Sequence, residues 1–337
     1  MKVLNIMLSR KLGGIEQSFA DYSLALKSQK INVTNITSVF AKINPRCFPR
    51  IALLNLGAWD FLSILFLAIL IIFIKPSVII AHGNRAMNFA RKATRRGLIV
   101  GVAHNYNIAN LPKCDYIIAL TEHMRQYLLE HDFEESRIVV IPNMINIRKD
   151  LATRRYHAPV VVGTIARFVK KKGVDVLLRS LARLRDQHYH FKAIIGGDGE
   201  EAGALHKLSK ELNLEQHVSF VRWVNNHDKF FNDIDIFCVP SLHEPFGIAV
   251  LEAMANTIPI VSTDTEGPSE ILRNRYDGLL CSAGSVDDLA TKLAYLLMNS
   301  NDARKYAESA YRRVTDRYSA SVIAPKLSEF IETIAKS

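Results

Sequence analysis

The sequence predicts an α/β chain of two Rossmann-like parallel-sheet domains facing a central cleft. Short apolar runs alternate with segments of helical periodicity along nearly all of its 337 residues, the pattern of βαβ units. A polar stretch at 146–157 breaks the alternation near the middle, and the length suits two domains of ordinary size. The residues with chemistry to offer fall just after the apolar runs. Those are the carboxyl ends of strands, where open parallel sheets bind ligands.

Taken in order, the first half opens on MKVLNIMLSR, whose apolar run is too short and too broken for a secretory signal and reads as a strand at 3–8. Gly13-Gly14 follow it. Further strands are expected at 33–39, 78–81, 98–102, 116–120 and 138–141, with His82, His104 and Thr121 behind three of them. The most apolar segment, FLSILFLAILIIFI at 61–74, is shorter than the roughly 20 residues of a membrane span. Lys75-Pro76 and a new apolar run follow at once, so it reads as a buried helix feeding a strand. The sharper alternative is a helix lying partly in a membrane interface.

The segment 146–157, with Arg148, Lys149, Arg154 and Arg155, marks the domain boundary, giving domains at 1–145 and 150–318. Strands resume at 160–164, 191–195, 218–221, 234–239, 259–262 and 278–281. Arg167 follows the first, Gly196-Gly197 the second, Arg222 and Trp223 the third, and Glu244 the fourth. Two helices, 303–317 and 320–335, close the chain.

Composition bounds the partners. Hydrophobic residues are 49% and charged residues 23%, the balance of a globular protein. Cys47, Cys114, Cys238 and Cys281 are scattered without a C-x-x-C pair, which argues against a zinc site or disulfide framework and fits a reducing compartment. Of the net charge of +10, residues 1–150 hold nearly all, with 19 Lys and Arg against 10 Asp and Glu. Arg91, Lys92, Arg95 and Arg96 cluster on one expected helix. They mark either a solvated basic face or an anionic partner such as phospholipid head groups or a phosphorylated acceptor. With no aromatic-interleaved basic motif or reader module, nucleic acid is not expected.

Two motifs carry the chemistry. In Glu244-Pro-Phe-Gly-Ile-Ala-Val-Leu-Glu252 a carboxylate stands on a loop, a helix is expected to begin near Phe246, and a second carboxylate rides on that helix. The backbone N–H groups of Phe246, Gly247 and Ile248 would form an anion site, and the carboxylates would accept hydrogen bonds from sugar and ribose hydroxyls. In Arg167-Phe-Val-Lys-Lys-Lys-Gly173, Arg167 and Lys172 at a helix start read as a diphosphate clamp. Asp233-Ile-Asp235 matches a D-x-D metal signature superficially but runs into an apolar strand, so no metal is expected.

With these motifs in view the chain resembles glycosyltransferase family 4, retaining enzymes of the GT-B fold. The resemblance runs through Gly13-Gly14-Ile-Glu16, HNYN from His104, IPN ending at Asn143, ARFVKKKG around Arg167 and GGDGEE from Gly196. It continues through FVRWV, Pro240-Ser-Leu-His-Glu244, LEAMA around Glu252 and EGPSEI around Gly267. It implies that Glu252 bonds the ribose, Glu244 the donor sugar, and Arg167 and Lys172 the diphosphate. Gly13, Gly14, Gly197 and the backbone of Phe246, Gly247 and Ile248 would complete the donor site, and His104 would face the donor sugar. Arg222 stands where the family often has glycine beside the base, which leaves the base preference open. The implied activity is metal-independent, cofactor-free, retaining transfer from a nucleotide sugar to a glycan or lipid-linked acceptor, as in lipopolysaccharide synthesis. The implied location is the cytoplasmic face of the membrane, with the final helix, 319–337, returning to the first domain. The alternatives are a nucleotide-sugar epimerase of the same fold and a non-catalytic, membrane-bound nucleotide-sugar-binding protein.

Overall fold

The computed structural model describes residues 1–9, 13–41, 50–57, 60–147 and 157–336. Cys47 and the boundary residues Arg148, Lys149, Arg154 and Arg155 lie outside these. The chain divides into two compact units, Met1–Asn146 with Tyr318–Ser337, and Ile147–Arg317.

The first unit begins β1 (Lys2–Met7), α1 (Gly14–Ser28), β2 (Asn32–Ser38), β3 (Arg50–Leu53), α2 (Phe61–Ile74) and β4 (Val78–His82). It continues α3 (Asn84–Ala93), β5 (Ile99–Ala103), β6 (Tyr116–Ala119), α4 (Glu122–Leu129) and β7 (Ile138–Val140). Among the described residues the sheet runs β3-β2-β1-β4-β5-β6-β7, every pairing parallel. Its central strands are mostly apolar because helices cover parallel sheets; β4 and β5 are buried at every position. A buried polar ladder seats α1: the Asn5 amide donates to the Phe19 carbonyl and to Asn35, and Asn35 donates to Ser23.

The second unit holds β8 (Val160–Ile165), α5 (Val174–Asp186), β9 (Phe191–Gly196), α6 (Ala202–Glu211), β10 (Val218–Val221), α7 (His227–Asn232) and β11 (Ile236–Val239). After these come α8 (Ile248–Ala255), β12 (Ile260–Thr263), α9 (Glu266–Ile271), β13 (Leu279–Cys281), α10 (Val286–Met298) and α11 (Ser300–Tyr318). Its sheet order is β10-β9-β8-β11-β12-β13. The last helix, α12 (Ala320–Ile334), packs on α1 of the first unit. Its start is pinned there by Ile145 N–H on the Tyr318 carbonyl at 2.9 Å and Ala320 N–H on the Ile145 carbonyl at 2.8 Å.

Three expectations need correction. The segment 61–74 is a helix but not a buried one: Ser63 and Leu67 are its only fully buried residues, while Phe61, Leu62, Ile72 and Phe73 are each at least two-thirds exposed. One stripe meets the core, and the opposite face carries apolar residues where a surface helix normally turns polar. The basic cluster is not on one helix either. Thr94 is extended and ends α3, leaving Arg95 and Arg96 in the turn closed by Gly97 N–H on Thr94 Oγ1. Arg91 is a structural cation that pairs with Asp115 at 2.7 Å and donates to the carbonyls of Lys113 and Arg95. Finally, β3 was not foreseen: the run Ile51-Ala52-Leu53-Leu54 follows Pro45 and Pro49 and stands next to the far more apolar 61–74, and it was passed over as a connection.

Candidate functional site

Each sheet has one point where the strand order reverses direction, and ligands bind open parallel sheets outside such a point. In the second unit it lies between β8 and β11, so the loops leaving these strands, 166–173 and 240–247, lie side by side. Leu242 N–H and His243 N–H both reach the Lys171 carbonyl, at 2.8 and 3.3 Å. Gly173, at φ 60°, starts α5 directly against the other loop; a Cβ there would stand 2.0 Å from the Pro240 carbonyl oxygen. Any side chain would force the loops apart.

This contact brings together two expected residues far apart in sequence. Lys172 Nζ donates to Glu244 Oε2, and Ser241 Oγ supports the same oxygen at 3.4 Å. Arg167 is exposed on the same loop. Burial, and after it the charges of Lys172 and Arg167, hold Lys171 below the usual ammonium range, with Glu244 opposing. Glu266 braces the Glu244 loop by accepting from His243 Nδ1 at 2.7 Å and from Glu244 N–H at 3.4 Å.

The helix after Glu244 begins at Ile248 rather than near Phe246. Gly247 at φ 98° is left-handed and cannot be helical, so it becomes the N-cap. Phe246 is buried, and Gly267 N–H on the Glu244 carbonyl at 2.9 Å ties the loop to α9. Val250 N–H turns back to the Gly247 carbonyl at 2.9 Å, which leaves the N–H groups of Ile248 and Ala249 at the open end of α8, where the helix dipole favours an anion. Glu252 rides on α8, and both its oxygens lie 3.0 Å from Nδ1 of His227. That carboxylate holds the imidazole above its ordinary pKa. Gly197 follows β9 at φ 147°, and Arg222 is exposed after β10.

Asp235 is a structural carboxylate. Buried at the start of β11, it accepts from His157 N–H at 3.1 Å, His157 Nδ1 at 2.9 Å and Val161 N–H at 2.8 Å. Asp233 caps α7. Among the described residues no three His, Cys, Asp or Glu side chains gather as a metal cage.

The first unit repeats the logic. Its strand order reverses between β1 and β4, where Gly13 caps α1, Gly14 begins it and His82 ends β4. His82 Nδ1 lies 3.0 Å from His104 Nε2, with the two rings stacked. The edges of Tyr22 and Phe19 close on His82. Burial lowers the His104 pKa to about 3 and takes that of His82 well below its ordinary value, so both rings are neutral.

Residues 264–267 were expected at the end of the fifth strand of this unit, but neither Glu266 by itself nor His227 or His243 was expected as a site residue. Each meets its partner only when elements distant in sequence fold together, so no local spacing announces the pairing.

Residues 12–149 match the model of glycosyltransferase family 4, and residues 148–313 that of the group 1 glycosyl transferases. Together the two models span residues 12–313, one for each half, and mark the chain as a glycosyltransferase. Its curated relatives include the lipopolysaccharide core biosynthesis glycosyltransferase LpsE of Rhizobium meliloti, 32% identical over 49% of this chain and 47% of that one. Another is the poly(ribitol-phosphate) alpha-N-acetylglucosaminyltransferase of Staphylococcus aureus, 27% identical over 66% of this chain and 45% of that one. The chain spans about half the length of these relatives. Among solved structures, Anabaena HepE in complex with UDP and glucose superposes with a TM-score of 0.85 at 20% identity, covering 99% of this chain and 100% of HepE. The glycosyltransferase thus has the GT-B fold of two parallel-sheet α/β domains.

Proposed function

We propose that this glycosyltransferase moves a sugar from a nucleoside-diphosphate sugar to a glycan or lipid-linked acceptor, without a metal ion and with retention of anomeric configuration. The observation that carries the reading is the Lys172–Glu244 pair at the strand-order reversal of the second sheet, next to the first turn of α8. A cation, a carboxylate and unpaired helix N–H groups side by side suit a diphosphate joined to a polyhydroxylated ring. Glu252, one helical stretch on, would take the ribose hydroxyls, and Gly197 and Arg222 would flank the nucleoside.

In the reaction the acceptor oxygen bonds to the anomeric carbon as the bond to the β-phosphate breaks. The departing phosphate oxygen takes the acceptor proton on the same face. Charge grows on the diphosphate as this happens, and Arg167, Lys172 and the N–H groups of Gly247 and Ile248 stabilise it. In the first unit, Gly13, Gly14 and the neutral His104 are the candidates for donor contacts. The relatives named for lipopolysaccharide core biosynthesis and for poly(ribitol-phosphate) glycosylation support a glycan polymer as the acceptor.

A thermal-shift screen against UDP, GDP, ADP and their sugars tests the donor. A ligand at a hundred times its dissociation constant adds about 2.7 kcal/mol of stability, a rise of several degrees. If none of these nucleotides stabilises the protein, the reading fails.

A further inference from the structure

The outward face of α2 has no counterpart in glycosyl transfer. Ser63 and Leu67 are buried, and Ile64, Leu70, Ile71 and Ile74 pack partly on the core of the first unit. The other side is wholly apolar, with Phe61 70% and Phe73 79% exposed. Leu54 and Leu56, in the connection from β3, extend the exposed apolar surface. The 14 residues hold no charge. At about 1.5 Å per residue they reach roughly 21 Å, short of the roughly 30 Å hydrocarbon core, so the helix can lie along a membrane but not cross it.

Cations flank this face at both ends. Lys75 is the exposed C-cap of α2, and Lys2 Nζ lies 3.2 Å from the Ile74 carbonyl. At the other end Arg85, exposed on α3, donates to Asn55 in the connection preceding α2. Charge is also sorted along the unit. Residues 1–114 hold 15 Lys and Arg against 3 Asp and Glu, whereas residues 115–146 hold 2 against 6. The acidic part is the β6–α4–β7 edge, and β3, which leads into α2, is the opposite edge.

We propose that the exposed face of α2 seats the protein on an anionic lipid bilayer, the helix lying in the interfacial plane with Lys2, Lys75 and Arg85 at the level of the head groups. Apolar side chains enter the acyl boundary while flanking cations meet phosphate, the pairing that holds interfacial helices. The charge decides against a second copy of the chain as the occupant. A symmetric contact through this face would bring two strongly basic segments together, which repel, whereas an anionic surface is complementary. The proposal does not depend on the glycosyl-transfer reading, because vesicle binding needs neither donor nor acceptor.

The test is co-sedimentation of the full 337-residue chain with phosphatidylcholine vesicles, with and without phosphatidylglycerol. Wild type should bind the anionic vesicles, and less tightly as salt rises. The doubly substituted Leu62→Glu/Phe73→Glu protein should lose about a hundredfold in partitioning with its circular dichroism unchanged, both positions being exposed. Lys75→Glu should weaken binding to the anionic vesicles by roughly tenfold. Failure of wild type to bind, or equal binding by the doubly substituted protein, would overturn the proposal. So would a lipid-free dimer of wild type that the double substitution converts to monomer, since a second copy would then cover the face. None of these results bears on donor binding, which the nucleotide screen reads separately.

Discussion

Glu252 and His227 lie 25 residues apart in sequence, yet both Glu252 oxygens sit 3.0 Å from His227 Nδ1. The histidine holds the carboxylate in place on α8 from the neighbouring α7. Its folded pKa is raised, chiefly by the hydrogen bond to Glu252. The stabilisation is therefore complete below the unfolded value near 6.5 and fades as pH climbs through the folded one. His227→Gln should lower the melting temperature more near pH 6 than near pH 9. A gap that is equal at both, or wider at high pH, would show that the pair is not what raises the pKa.

Glu252→Ala tests the ribose assignment. A charge-assisted hydrogen bond to hydroxyls contributes about 1.5–3 kcal/mol, or roughly ten- to hundredfold in affinity. Calorimetric titration of the folded variant with the nucleotide that wild type prefers should show that loss. Unchanged affinity removes the assignment.

The His82–His104 pair has the opposite pH signature. Both folded pKa values are depressed by burial, so the unfolded chain binds protons that the folded one refuses, and stability falls as pH drops below about 6.5. His104 alone should account for on the order of 2 kcal/mol between pH 6.5 and 5. Urea unfolding at the two pH values should show this slope in wild type and a flatter one in His104→Asn. An identical slope in the variant would mean that the ring is solvated.

Asp235→Asn should destabilise the protein by about 1–3 kcal/mol, because it takes the charge from a carboxylate that gathers three N–H donors. Nucleotide affinity should not change, and turnover should survive EDTA. If the variant were as stable as wild type, and activity needed added Mg²⁺ or Mn²⁺, the D-x-D motif would be a metal loop after all.

Much of this was legible in the sequence, for identifiable reasons. Buried parallel strands such as β4 and β5 are continuous apolar runs, and Glu244, Glu252, Arg167 and Lys172 sit in local motifs whose glycines announce tight turns. β3 was missed because the short run Ile51-Ala52-Leu53-Leu54, behind two prolines, was passed over beside the longer apolar segment 61–74. α2 misled for a different reason: apolar composition says that a face must be covered, not by what, and only the packing shows which stripe meets the core. The partners of Glu252 and Glu244 were only partly visible. Lys172 stands in a motif of its own, whereas His227 opens a short helix with no motif around it, and its role shows only when α7 lies beside α8.

In the proposed reaction the Lys172–Glu244 rim stabilises a departing nucleoside diphosphate. The most direct test is the steady-state release of that diphosphate from the preferred donor by wild type, Lys172→Ala and the control Lys170→Ala, whose lysine is exposed on the same loop. Loss of a preorganised charge partner that tightens in the transition state costs on the order of 10²–10³ in kcat. Lys172→Ala should show that loss at saturating donor, with Lys170→Ala close to wild type. A Lys172→Ala enzyme that keeps its kcat and only raises its KM would contradict it, leaving the loop as a docking site for ground-state donor.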